Sequence, residues 1–273
     1  FPEDFGERLG GVPGILPASV RRIVVNSKDT WYHKIASIHA TYREQGKYFF
    51  FGWDIRRSYS QRELASAKIL LLRIRRVFEP AGEECGTEYD ESVACSLCGA
   101  GANQLTPLFL KENRLPKRCD IAKTIAGEII VSERFRTLFE KFDLSGASFA
   151  PVNLFSSGTS MPSSKWFQLK IFNHISISDT SVFGEDPFDD GHYGRCPHKD
   201  TLGLCRLSEL EVIADSPWRY DIGSTQQFVG CRRGLLRPER ILLISNELWK
   251  IFNSSKILGF DLEVVRLVET VRD

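Results

Sequence analysis

The chain has 273 residues, 42% hydrophobic and 26% charged, with 36 Lys plus Arg against 35 Asp plus Glu for a net charge of +1. This composition excludes disordered, collagen-like and coiled-coil classes, and near neutrality leaves no global field to hold nucleic acid or an anionic membrane. No stretch approaches the roughly 18 uncharged apolar residues of a spanning helix, and Phe1-Pro2-Glu3-Asp4 lacks the basic and apolar run of a signal peptide, so a cytoplasmic location and no membrane partner are expected.

In chain order, the first thirty residues are broken by Gly6, Gly10, Gly11, Gly14, Pro2, Pro13 and Pro17 and read as irregular. Trp31, Ile35, Ile38 and Tyr42 recur at helical spacing and predict a helix to Gln45, ended by Gly46. Tyr48 to Phe51 reads as a buried strand. Ala67 to Phe78 reads as a half-buried strand whose Arg73, Arg75 and Arg76 point to solvent. From Glu79 to Asn103 the chain is polar and glycine-rich, too long an excursion for an unsupported loop, so something must hold it.

A pattern then repeats at a spacing of 113 residues. Ile129, Ile130, Val131, Ser132, Phe135, Leu138, Phe139, Gly146, Phe149 and Val152 correspond to Leu242, Leu243, Ile244, Ser245, Leu248, Ile251, Phe252, Gly259, Leu262 and Val265. Each copy reads as strand, serine-capped helix, glycine turn and strand. Each would expose an apolar face alone, so the copies are expected to pack on each other or on a shared sheet. A strand at Lys165 to Phe172 and an acidic loop at Gly184 to Gly194 lie between them. The expected class is α+β, with mixed sheets and two related strand-helix-strand units. The expected division is 1–80 as an N-terminal α+β portion, 81–155 with the first unit, and 156–273 with the second.

The seven cysteines, at 85, 95, 98, 119, 196, 205 and 231, are an odd number, which argues for thiols or metal over a disulfide framework. Cys95-Ser96-Leu97-Cys98-Gly99 has the form of a zinc knuckle: two thiolates two residues apart can hold one ion from a tight turn. Cys196, followed by Pro197, is the leading third ligand for a structural Zn2+. The fourth is open among His198, Cys205, Asp200 and Cys85, while Cys119 and Cys231 read as small buried hydrophobes. A closed four-ligand site has no place for a reacting water, so these cysteines argue for a folding role over zinc catalysis.

The runs Glu79 to Thr87, Ala94 to Gly101, Asp120 to Ala126 and Val131 to Arg134 together resemble the bacterial double-CXXCG motif family, over roughly Trp53 to Cys205. Members of that family and similar myxobacterial groups are regarded as immunity proteins or uncharacterised partners in toxin systems. The resemblance therefore implies a protein that binds a cognate toxin. In this chain the second motif is degenerate, reading Cys196-Pro197-His198-Lys199-Asp200.

A catalytic constellation is weakly marked. His33 and His39 fall on the Trp31 helix, and no serine elbow accompanies His174 and Asp179. His192 with Asp189 and Asp190 is the cluster on which a hydrolase reading would rest. Glu83, Glu84, Glu88, Asp90 and Glu91 form a second acidic set. If zinc joins the two loops, Glu88, Asp90, Asp189 and Asp190 become an acidic rim suited to a basic partner such as a nuclease toxin. A zinc-ribbon regulator touching nucleic acid through Arg56, Arg57, Arg73, Arg75 and Arg76 is the other alternative.

Overall fold

The computed structural model describes residues 22–47, 49–50, 52–156, 159–189, 195–213 and 218–268. Backbone contacts divide the chain into two compact units, Phe1–Ile55 and Arg56–Asp273. In the first, helix α1 (Thr30–Glu44) is capped by the Asp29 carboxylate on the N–H of Trp31, and Ile35 is its buried residue. Phe49 and Phe50 are irregular, and Tyr48 and Phe51 lie outside the described residues. The strand expected there is therefore not formed at the two positions seen. Instead, the Phe49 ring meets Tyr42 at 5.5 Å and Phe50 meets His39 at 5.0 Å.

The second unit begins with the short helix α2 (Gln61–Ser66) and carries sixteen described strands. They run β1 (Ile69–Ile74), β2 (Val77–Phe78), β3 (Tyr89–Asp90), β4 (Asn103–Gln104), β5 (Phe109–Lys111), β6 (Ile121–Thr124) and β7 (Ile129–Ser132). Helix α3 (Glu133–Lys141) and β8 (Ala147–Ser156) follow, then β9 (Thr159–Ile171), β10 (His174–Ile175), β11 (Phe183–Gly184), β12 (Cys205–Arg206), β13 (Leu210–Ile213), β14 (Ile222–Val229) and β15 (Glu239–Ser245). The last elements are α4 (Asn246–Ser254) and β16 (Phe260–Val268), so the fold is α+β. No helix among the described residues is long and apolar enough to cross a membrane.

Two six-stranded sheets have the same plan. One is ordered β2-β6-β7-β9-β8-β5 and the other β10-β14-β15-β1-β16-β13. In both, the outermost pairings are parallel and the three inner ones antiparallel. The registers also correspond: Ile121 opposes Val131 as Ile222 opposes Ile244, Trp166 opposes Ser132 as Ile69 opposes Ser245, and Leu169 opposes Phe149 as Leu72 opposes Leu262. The chain is thus a tandem duplication, β1 to β8 followed by β9 to β16. Each copy contributes its first strand, β1 or β9, to the other copy's sheet. The strand read as one piece from Ala67 to Phe78 is split accordingly, since β1 joins one sheet and β2 the other. Ile69 to Leu72 are buried in succession, without the expected alternation, because β1 is covered on both faces.

The predicted strand-helix-strand units are present. Ser132 caps α3 by accepting from the N–H of Phe135, and Ser245 caps α4 by accepting from Leu248. Both helices bury their apolar faces in one core shared by the two sheets, where the Phe135 and Phe252 rings stand 4.9 Å apart. The opposite sheet faces carry matching smaller cores. Leu108, Leu110, Ile130 and Val152 cover one, and Leu210, Val212, Leu243 and Val265 the other.

An aspartate from each copy ties the two together. The Asp120 carboxylate accepts from its own copy's Ser132 hydroxyl at 2.8 Å and from the Leu258 N–H of the other copy at 2.9 Å. Asp221 accepts from its own Ser245 hydroxyl at 3.4 Å and from the Ser145 N–H of the other copy at 2.8 Å. Immediately after those crossing residues stand Gly146 and Gly259, at φ 104° and 119°. A methyl group on Gly146 would land on the Ile222 carbonyl oxygen, and one on Gly259 on that of Ile121.

Gly146→Ala and Gly259→Ala are therefore each expected to lower stability by about 2 kcal/mol or more, through left-handed strain plus displaced backbone; thermal melts of the two variants check this. Burial opposes ionisation of Asp120, but Arg134, the Leu258 N–H and Ser132 together hold its pKa below the ordinary value. Its stabilising contribution is thus complete above pH about 4 and declines as pH falls through the depressed folded value. Urea midpoints between pH 6 and 3 should fall less steeply in Asp120→Asn than in the parent.

Candidate metal centre

Each copy inserts a loop at the same place, between its second strand and its parallel edge strand. The first loop contains the β3–β4 hairpin with Cys95 and Cys98, and the second the β11–β12 hairpin with Cys196. The two turns share their closing bond, but the inner bond spans four residues in the first and three in the second. The Cys95 N–H donates to Ala100 and the Cys196 N–H to Thr201, at 2.8 and 3.0 Å, while the Gly99 and Lys199 N–H groups return to the carbonyls of Cys95 and Cys196, each at 2.8 Å. Gly99 and Lys199 both take the left-handed conformation, at φ 73° and 63°. The second turn is one residue tighter and carries Lys199 where the spacing of the first puts Cys98.

The ligand atoms of Cys95, Cys98, Cys196 and Asp200 all lie within 4.8 Å of one another, a possible metal-binding group. Cys95 Sγ is 3.6 Å from Cys196 Sγ and 3.4 Å from His198 Nδ1. In a tetrahedral site with Zn–S bonds of about 2.3 Å, sulfurs stand about 3.8 Å apart, so the spacing fits thiolates around one ion. A disulfide would need about 2.05 Å. Cys98 and Cys196 are buried against Ala100, with Cys95 and Phe228 packed around them. The backbone N–H groups of Cys98 and Leu97 point at the Cys95 sulfur and draw its pKa down. Burial pushes the Cys98 thiol up to about 11, against donation from the Ala100 N–H and the Thr201 hydroxyl. Such N–H···S bonds orient and charge-balance thiolate ligands.

The expected ligands are placed as follows. Cys95, Cys98 and Cys196 converge, and Asp200 joins them. His198 is exposed but reaches Cys95 from the same turn. Cys205 is outside the group, because β12 pairs it with Gly184 of β11. Cys85 is buried in a 3-10 turn at Glu83–Cys85, also outside it. Cys231 lies in the connection after β14, and Cys119 packs against the core containing Leu108 and Ile130.

The support around the centre was not legible in the sequence. The end of β14 and the connection after it reach the two knuckles. The Arg232 N–H donates to the Cys98 carbonyl at 2.9 Å, and the Phe228 N–H to that of Asp200 at 2.9 Å. Arg232 and Arg237 also pair with Glu83 and Glu91, at distances from 2.7 to 3.5 Å. Two of the five acidic side chains, Glu83 and Glu91, are therefore neutralised internally. Asp90 turns back to the N–H and hydroxyl of Ser92, and Glu84 to the N–H of Ala81. Asp189 accepts from the N–H groups of Glu185 and Asp186. Glu88 and Asp90 remain on the first hairpin, whereas Asp190 and His192 lie outside the described residues. His174 bonds Ser224 Oγ at 2.9 Å. Of the basic set, Arg73 and Arg75 meet Asp261, and Arg57 meets Glu263.

No protein-family model matches the chain, and no curated protein matches it.

Purified protein is expected to carry about one metal ion per chain by elemental analysis, and chelation should lower the melting temperature. Cys95→Ser should remove most bound metal. Between the two candidates for the fourth position, the variant at the true ligand, Asp200→Ala or His198→Ala, should weaken metal affinity by about tenfold or more, as read by competition with a chromogenic chelator.

Proposed function

We propose that this is a zinc-pinned, non-catalytic binding protein of the immunity type, which neutralises a cognate toxin by occluding it. The observation that carries the reading is the closed donor set. Three cysteines and either Asp200 or His198 converge from two knuckles, one on each copy, and would supply the four donors of a closed tetrahedral shell. The zinc would act as a clasp between the copies and fix the two inserted loops as one rigid surface. A preorganised surface lowers the entropic cost of association. The resemblance of the Glu79–Thr87 and Ala94–Gly101 runs to the double-CXXCG family supports a toxin as the partner, in the cytoplasm of a bacterium.

The surface offered to that partner is mixed. Val93 and Leu97 on the first knuckle are 59% and 62% exposed and Leu105 is 60% exposed, beside Glu88 and Asp90. Exposed aliphatic side chains with acidic neighbours suit a partner that is basic at its rim and apolar at its centre.

The test takes the product of a toxin-domain gene encoded next to this one and measures its association with the purified protein by stopped flow. Glu88→Lys, Asp90→Lys, Asp189→Lys and Asp190→Lys combined should slow association by about tenfold or more at low salt. An unchanged rate would overturn the acidic contribution, and absence of any complex would overturn the immunity reading.

A further inference from the structure

The two copies diverge most where β6 meets β7 and β14 meets β15. Four residues join the first pair, and nine, 230–238, join the second. The longer connection reads Gly230-Cys231-Arg232-Arg233-Gly234-Leu235-Leu236-Arg237-Pro238, followed in β15 by Glu239 and Arg240. Four arginines thus enter where the first copy has a tight turn.

Beside this connection a sheet opens. β1 pairs with β15 only as far as Leu71 opposite Leu243, although β1 runs on to Ile74 and β15 begins at Glu239. Beyond that pair lies a cavity of about 510 Å³, a size typical of small-molecule sites. Leu72, Ile129, Leu236 and Ile241 give it apolar walls. Its lining carries six cationic side chains against two carboxylates. Lys123 is paired with Glu239, Arg206 with Glu263, Arg73 with Asp261, and Arg237 with Glu83 and Glu91.

Arg233 and Arg240 remain without a carboxylate among the described residues. Arg240 is positioned by the Thr225 carbonyl at 2.9 Å and by the Phe228 ring, 4.2 Å from its guanidinium carbon. Burial draws its pKa down, with no neighbouring anion to offset that. The Nε of Arg237 is buried without a hydrogen-bond partner. A cation kept in a partly enclosed apolar site without a counter-ion is a standing attraction for an anion.

We propose that this cleft binds a small organic anion, its acidic head against Arg233 and Arg240 and its apolar body along Leu72, Ile129 and Leu236. The site adjoins the metal centre through Phe228 but uses none of its candidate ligands, and it does not depend on the toxin reading.

The experiment titrates the intact protein with 1-anilinonaphthalene-8-sulfonate, a fluorescent anion with an aromatic body, and with its neutral analogue N-phenyl-1-naphthylamine. Saturable one-site binding of the sulfonate is expected, weakened about tenfold in Arg233→Gln/Arg240→Gln, while the neutral probe is unaffected by the pair. Leu236→Trp, which fills the cavity, should reduce both. Arg233→Gln alone keeps the test valid if loss of Arg240 unfolds the protein, as near-UV circular dichroism would reveal. Displacement by adenosine monophosphate would identify a phosphate head, and displacement by decanoate a carboxylate. Binding that does not saturate, that is unchanged in Arg233→Gln and in the double variant, or that neither competitor displaces, would overturn the proposal.

Discussion

Reciprocal exchange of one strand between two copies of the same unit is the constraint on which the second compact unit depends. Neither β1 nor β9 lies in a sheet built otherwise from its own copy, so neither sheet has its full set of pairings unless both copies are present. Asp120 and Asp221 sit at the crossing points. Each binds the serine that caps its own helix and a backbone N–H of the other copy. The register of the sheets, the caps of α3 and α4 and the glycine turns are fixed by the same few hydrogen bonds. The shared core then follows, because the two helices can bury Phe135 and Phe252 only when the sheets face each other.

The metal centre uses the same relation. Knuckles inserted at matching positions of related copies are brought together as a pair, so that the possible metal-binding group draws side chains from each. Their inequality is informative. The first has two thiols, whereas the second has Lys199 where the spacing of the first puts Cys98, with His198 and Asp200 on either side. Phe228, at the end of β14, braces the second turn, and Arg232, in the longer connection that follows, braces the first. The departures from twofold similarity thus gather in one region, comprising the second knuckle, its brace and the basic cleft.

Parts of this were open to reading from the residues. The helix units showed because their serine caps, 3.6-residue periodicity and glycine turns recur at one spacing, with no insertion between Ile129 and Val152 or their counterparts. The wider duplication was hidden by changes of spacing. Ile69 corresponds to Trp166 at a separation of 97, Ile121 to Ile222 at 101 and Val131 to Ile244 at 113, because the β14–β15 hairpin has both longer strands and a longer connection than β6–β7, and the segments before it add the rest. Strand exchange has no periodicity of its own, so nothing in Ile69 to Ile74 says which sheet it enters. Cys95, Cys98 and Cys196 were marked by the knuckle spacing and the following proline. Cys205 carried the same residue-type signal as a ligand, but strand pairing with β11 places it elsewhere. The glutamates before the first knuckle looked like a free acidic face, because arginines more than 130 residues distant leave no local trace.

The position of β1 also has a consequence in time. Ile69 to Leu72 leave the ribosome well over a hundred residues before their strand partners in β15 and β16. At about 5–20 residues per second, the wait is on the order of ten to thirty seconds. Throughout it, a strand of four consecutive aliphatic residues has both edges open, the state most prone to wrong pairing between nascent chains. Arg73 near the end of β1, with Arg75 and Arg76 just after it, carries positive charge there during the interval. In the finished protein Arg73 and Arg75 meet Asp261 on β16, the strand whose arrival ends the wait.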